Sequence, residues 1–514
     1  MNLLSRVAIL AVLATSLNAA DAPDLQVVSR IRHEGFRNSK VMEYAQTLTD
    51  TIGGRLTGSP NMKRANEWTR DALAQMGLAN AHLEPYRFGR GWTSDYAMVR
   101  MLTPEVQQLY AVGLAWSPPT NGVLRGKVVK AKLESKEDFE KFRGKLAGAI
   151  VMIAEPPEMK PQETPALDRF DDEELAELAQ YEVPGAERTA DYLRRREFRK
   201  QLAQFAMDEK VAAIIQPARG HGGVFRVQSG GTWRDDEAIG VPSVGLAPEH
   251  YGRISRLLDA KTEVELEVEL RARFIDDTTS WNTIAELPGT DKRGEVVMLG
   301  AHLDSWHTST GATDNAAGSA VMMEAMRIIK ALGIAPRRTI RIALWSGEEQ
   351  GLLGSRAYVK EHFATRAEPK DPEQAKLPEW ARTEKGEVQP KPEHAKLSAY
   401  FNMDGGTGKI RGIYAQENAA AVPIFTAWLE PLRDLGATTV TMRNTPATDH
   451  ISFDEVGLPG FTFIQDDVEY ESRTHHTNWD SFERLQRSDL MEAAVVVATF
   501  VWQAANREQM MPRR

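Results

Sequence analysis

The chain has 514 residues, which at about 150 residues per domain leaves room for two to four domains. Its composition, 42% hydrophobic and 26% charged, is that of an ordinary globular protein and excludes collagen-like, low-complexity and largely disordered readings. A net charge of −9 without a basic block excludes nucleic acid as an expected partner, and zero cysteines exclude disulfides, thiolate-bound zinc, iron–sulfur clusters and a thiol nucleophile.

Residues 1–20 hold one positive charge at Arg6, an apolar run from Val7 to Leu17 broken only by Thr15 and Ser16, and small residues at Asn18-Ala19-Ala20. This is the pattern of a cleaved secretory signal peptide. The run is shorter than the roughly 20 residues a membrane anchor needs, and no later run is long enough to span. The expectation is an exported protein, periplasmic or extracellular, with no membrane anchor in its mature form. Absence of cysteine suits a bacterial periplasm or exterior.

Ser59-Pro60 reads as a helix cap followed by proline in the first turn, and Ala65, Trp68, Ala72 and Met76 recur at helical spacing over 60–77. From 105 to 275 the texture changes to short strands, with compact apolar runs at 148–153 and 211–215. Over 264–274, Val264, Leu266, Val268, Leu270, Ala272 and Phe274 alternate with Glu265, Glu267, Glu269, Arg271 and Arg273, the period-2 pattern of a strand with one wet face. This block reads as a small β-rich domain. Its charge run at 166–205 reads as a solvated helix face, and His221 as a loop histidine.

After 276 the pattern becomes strand, helix, strand, helix: strands at 296–299, 339–345, 397–403 and 459–464, and helices at 315–332, 352–363 and 488–506. That alternation specifies an α/β fold with a largely parallel central sheet flanked by helices. Residues 366–396, rich in proline and charge, read as a surface insertion.

The strands of this second half run into polar residues: His302-Leu303-Asp304, Glu348-Glu349 and Asp404, with Asp314 at the start of the intervening helix. Ligands of open α/β sheets collect outside the carboxyl ends of strands, so these residues are expected in one crevice. Carboxylates gathered there would repel strongly unless a multivalent cation compensates them. Histidine and carboxylate donors without thiolate fit zinc or a related divalent metal, and the excess of acids suggests two metals sharing one bridging acid. Singly, each residue has a blander role: Asp314 as a helix cap, Glu348-Glu349 as an acidic first helical turn, Asp404 as part of a turn, His302 as a core histidine. Their coincidence at strand ends of one sheet favours the metal centre.

Five stretches resemble a known family, the co-catalytic dizinc exopeptidases that include leucyl aminopeptidases, aminopeptidase Y and carboxypeptidase Q-like members. They are His302-Leu303-Asp304-Ser305-Trp306, Gly311-Ala312-Thr313-Asp314-Asn315-Ala316-Ala317-Gly318, Trp345-Ser346-Gly347-Glu348-Glu349-Gln350-Gly351, Asn402-Met403-Asp404 and His476-Thr477-Asn478-Trp479-Asp480. The resemblance implies a peptidase domain over 21–104 plus 276–514, with a protease-associated-like domain inserted at 105–275. It makes Asp314 the bridge between two zinc ions, with His302 and Asp404 completing one site and Glu349 and His476 the other. It assigns Glu348 as general base and Asp304 as the partner that orients the His302 ring. Where some members have a tyrosine before the last histidine, this chain has His475, which would serve as oxyanion donor or as a structural neighbour.

The expected function is metal-dependent hydrolysis of peptide bonds at the ends of short peptides, as an aminopeptidase or a dipeptidase. A dizinc deacylase on the same scaffold and a non-catalytic receptor are the alternatives, and a homodimer is left open. Asp449-His450 resembles a family motif near the site and would brace a loop; His307 has no assignable role. Gly405-Gly406-Thr407-Gly408-Lys409 lacks the flanking Gly and Ser/Thr of a phosphate loop, and Ser346 lacks a nucleophile elbow.

Overall fold

The apolar run at 296–299 forms the middle of the Lys292–His302 strand, buried on both faces, as a central parallel strand must be. In this computed structural model that strand lies inside an eight-stranded sheet. The structure describes residues 22–182, 188–220, 222–226, 229–375, 377, 382–445 and 448–514, with backbone alone over 188–192. The expected signal peptide and His221 lie outside the described residues.

Four neighbouring strands run parallel in the order Arg338–Trp345, Lys292–His302, Leu397–Asn402 and Gly460–Gln465. Thr279–Leu287 pairs antiparallel on one side, followed by Ala79–Arg87; Ile410–Tyr414 pairs antiparallel on the other, followed by Thr439–Thr441. The chain leaves Lys292–His302 for the strand on one side and then crosses to the strand on the other, so the sheet's switch point lies at His302.

Helices Ala317–Ala331, Arg487–Asn506 and Leu25–Arg37 cover one face, packing Val321, Ile328, Val497 and Phe500 against Leu299 and Phe401. Leu353–His362 covers the other with Tyr358 and Val359. The helix expected near 60–77 spans Pro60–Gln75, and the Ser59 hydroxyl caps it by accepting from the Met62 N–H at 3.2 Å.

A second eight-stranded sheet holds Gly91–Thr103, Gln107–Leu109, Ala111–Gly113, Leu124–Lys130, Ile150–Met152, Ala213–Pro217, Ser243–Leu246 and Glu265–Ile275. It begins at Gly91, ahead of the 105–275 block, because Gly91–Thr103 pairs along nearly its whole length with Glu265–Ile275. The expected wet face of that last strand is dry at Glu267, which is 2% exposed. Arg100 and Arg125 stand directly opposite it on the two flanking strands and both pair with its carboxylate. The charge run at 166–205 is solvated only in part: Asp171 caps the Asp172–Leu178 helix, whereas Arg169 is ion-paired with Asp466 at 2.9 Å and Asp489 at 2.7 Å. No helix among the described residues is long and apolar enough to cross a membrane.

Candidate metal centre

His302 closes its strand with the ring buried. Its Nδ1–H donates to the backbone carbonyl of Asp304 at 3.0 Å, which leaves Nε2 facing Asp404 Oδ1 at 3.0 Å and Asp314 Oδ1 at 3.2 Å. The Asp304 carboxylate lies farther from the ring, at 3.6 Å. It accepts instead from the Thr57 hydroxyl at 2.9 Å and from the backbone N–H groups of Glu348 and Glu349, each at 3.3 Å. Asp304 therefore orients the imidazole through its main chain and holds the Glu348-Glu349 turn through its side chain.

That turn is neither helix nor strand, so its two consecutive glutamates take different directions. Glu349 Oε2 accepts from Trp306 Nε1 at 2.6 Å and lies 2.9 Å from His476 Nε2, while its buried Oε1 has no hydrogen-bond partner among the described residues. Glu348 turns toward His302 and Asp404; one ligand atom from each of these three lies within 4.8 Å of the others.

Asp314 sits in an irregular turn, Ala312–Ala316, with extended angles (φ −125°, ψ 87°), ahead of the Ala317–Ala331 helix. It does not cap that helix. Asn315 does, its Oδ1 accepting from the Gly318 N–H at 2.8 Å. A Cβ at Gly318 would come within 2.4 Å of that Oδ1 and 2.6 Å of the Met403 carbonyl, so glycine lets the helix meet the Asp404 strand end. Freed from capping, Asp314 offers Oδ1 to His302 and Oδ2 to His476, each at 3.2 Å.

His476 lies in the left-handed region (φ 59°), after the Tyr470–Thr474 turn. The second sheet's loop pins this segment: Phe225 N–H donates to Asn478 Oδ1 at 2.7 Å, and Asn478 Nδ2 and Trp479 Nε1 both donate to the Gly223 carbonyl at 2.9 Å. His475 stacks on Tyr470, with ring centroids 4.7 Å apart, and offers a nitrogen close to Asp314 and His476.

All eight residues singled out in the sequence thus meet at the switch point. His307, in contrast, bonds the Gly113 carbonyl at 2.7 Å and meets the Trp92 ring edge-on, a packing role between the sheets. Asp449 accepts from the Ser355 hydroxyl at 2.5 Å and His450 Nε2–H donates to the Thr445 carbonyl at 3.0 Å, so both brace the adjoining loops. The Ser346 hydroxyl donates to the Trp281 carbonyl at 2.8 Å.

Sequence reading missed Arg55. Fully buried, it donates Nε to the Leu303 carbonyl at 2.7 Å, Nη1 to Thr310 at 2.6 Å and Nη2 to Gly311 at 2.7 Å, tying together the two loops that carry His302 and Asp314. Asp480 was quoted within a motif without a role; it holds the backbone of Asp314.

The electrostatics test whether a cation fits. Burial and the neighbouring Asp404, Asp449 and Glu349 carboxylates push Glu348 well above the usual carboxylate range, and burial with Asp314 raises Glu349. Burial lowers the imidazoles, but the acids outweigh it: His302 rises well above its ordinary value and His476 to about 10. The clustered carboxylates thus favour bound positive charge where these side chains converge. Oxygen and nitrogen donors around that deficit, with Glu349 Oε1 unpartnered, fit one or more divalent cations of the zinc type.

The sequence profile of peptidase family M28 matches residues 282–501, the segment that carries every one of these residues. Residues 282–501 form a peptidase family M28 domain. The protein is a metallopeptidase. Carboxypeptidase Q of Mus musculus is 27% identical over 483 residues, covering 93% of this chain and 88% of that protein, and carboxypeptidase Q of Homo sapiens is 26% identical over 481. Aminopeptidase YwaD of Bacillus subtilis is 26% identical over 278 residues, 53% of each chain. The crystal structure of a peptidase M28 precursor from Shewanella amazonensis superposes with a TM-score of 0.67 at 25% identity, covering 95% of this chain and 98% of that one. A zinc aminopeptidase from Bacillus subtilis shares the fold, with a TM-score of 0.58 at 19% identity over 91% of this chain and 95% of that one.

Proposed function

We propose that the protein is an exported exopeptidase that binds two zinc ions and hydrolyses peptide bonds at the ends of short peptides. One observation carries the reading: Asp314 presents a different carboxylate oxygen to each of two imidazoles, His302 and His476, at the same 3.2 Å. Such a carboxylate suits a bridge, with His302 and Asp404 on one side and Glu349 and His476 on the other. Zinc bound there would supply Lewis acidity, lowering the pKa of water and polarising a carbonyl.

The chain's own groups account for the remaining chemistry. Glu348 is held beside the donor cluster without a salt-bridge partner of its own among the described residues, in surroundings that raise its proton affinity. It would take the proton of the attacking water and deliver it to the leaving amine. Trp306 fixes Glu349, and Asn315 Nδ2 donates to the Met403 carbonyl at 3.0 Å and lies 3.3 Å from Asp404 Oδ1, so the donors are set before substrate arrives. His475, stacked on Tyr470 beside His476, is the candidate oxyanion donor. The cluster opens into a cavity of about 1010 Å³ whose far wall comes from the helix and loops packed with the second sheet, through Arg196, Trp116 and Trp233. Enclosure by two layers favours short peptides. The leader-like residues 1–20 support export.

The test is hydrolysis of an aminoacyl anilide and of unblocked and N-blocked dipeptides, before and after chelation. Chelator-sensitive cleavage that needs a free terminus is expected. Cleavage of a simple acyl amide with no peptide activity would favour the deacylase instead.

A further inference from the structure

Gln350 follows Glu349 directly and lines the same cavity. Its backbone is fixed by a tight turn, in which the Gly351 and Leu352 N–H groups donate to the Glu348 carbonyl at 2.8 and 2.9 Å. Both polar atoms of its carboxamide, Oε1 and Nε2, are buried and have no hydrogen-bond partner among the described residues. The other lining side chains with an unpartnered buried atom have a charged neighbour or belong to the donor cluster. Arg196 Nε and Arg356 Nε belong to guanidiniums already paired with Glu237 at 2.8 Å and Glu455 at 2.7 Å, His475 Nδ1 lies 3.4 Å from Glu471 Oε1, and the free oxygens of Glu349 and Asp314 belong to the donor cluster.

A buried carboxamide with neither atom paired is costly unless something completes it, and the exceptions in folded proteins concentrate at functional sites. One donor and one acceptor on a planar head match the N–H and C=O of a peptide unit. We propose that Gln350 recognises the main chain of the bound peptide, Oε1 accepting a substrate N–H and Nε2 donating to a substrate C=O. The proposal rests on the peptidase reading above and names the residue that distinguishes a peptide from a simple amide. A site built to hydrogen-bond its substrate rejects analogues that leave its buried polar groups unpaired.

The experiment compares wild type, Gln350→Met and Gln350→Ala, using the tripeptide Leu-Gly-Gly as substrate and measuring KM, kcat, zinc content and Tm. A neutral hydrogen bond contributes about threefold to tenfold, so losing two raises KM about 10- to 100-fold. The expected kcat stays within about twofold. Zinc content is unchanged, and Tm of Gln350→Met does not fall, because the wild-type carboxamide makes no internal bonds to lose. An unchanged KM in both variants overturns the proposal. So does a fall in Tm or zinc content that accompanies the KM change, which would mark Gln350 as structural. If the zinc-loaded wild type cleaves no peptide, the peptidase reading fails first and takes this one with it.

Discussion

Asp480 accepts the backbone N–H of Asp314 at 3.1 Å, through Oδ2, while its Oδ1 accepts the Thr313 N–H at 2.6 Å and the Thr313 hydroxyl at 2.8 Å. A buried carboxylate 166 residues away thereby fixes the acid placed between His302 and His476. Burial and the Asp314 charge push Asp480 up to about 7, and those three donors oppose the shift.

Asp480→Ala leaves the backbone N–H groups of Thr313 and Asp314 unpaired, while the Thr313 hydroxyl keeps Thr474 Oγ1 at 2.8 Å as its acceptor. The expected loss is about 3 kcal/mol of stability, with metal affinity down about 10- to 100-fold. Chemical denaturation and zinc titration measure the two effects. Undiminished zinc affinity would mean that the Asp314 turn holds its shape unaided.

Trp306→Phe removes the indole N–H that donates to Glu349 Oε2 at 2.6 Å, while the ring remains packed near Trp116. Metal affinity is expected to fall about tenfold with little change in fold. Competition with a chromogenic chelator reads this. Equal affinities would remove Trp306 from the support of the centre.

Much of this was legible in the sequence because both signals are local. Period and length give the parallel strands, and strand ends give His302, Glu348, Glu349 and Asp404. What stayed hidden depends on contacts across the chain. Arg55 reads as an ordinary surface cation until loops 248 to 256 residues away fold over it. Glu267 obeys the wet-face pattern yet is covered, because two arginines from different strands share its register. Asp304 is legible as the partner of the His302 ring, but which of its groups meets the ring is not, since no pattern distinguishes a carbonyl from a carboxylate two residues beyond His302.

Glu348→Gln keeps the shape of the side chain and removes its ability to take a proton. Turnover is expected to fall by about 10²- to 10⁴-fold, with zinc content unchanged. Full activity would exclude Glu348 from proton transfer.

Chelated protein should lose stability as pH rises. His476, raised from 6.5 to about 10, contributes stability that is complete below 6.5 and lost as pH climbs through about 10. Glu348 and Glu349, raised, add a penalty that grows as they ionise, so both effects have the same sign. Zinc replaces those protons, so the loaded protein should show a flatter profile. Melting curves from pH 6 to 10, with and without chelator, test this; parallel profiles would contradict it.

Zinc content of the purified mature protein, by elemental analysis beside Asp314→Ala, tests the shared-carboxylate centre most directly. Near two zinc per chain in wild type and a loss of metal in the variant are expected. A wild type that holds no metal even after zinc is added would contradict the centre.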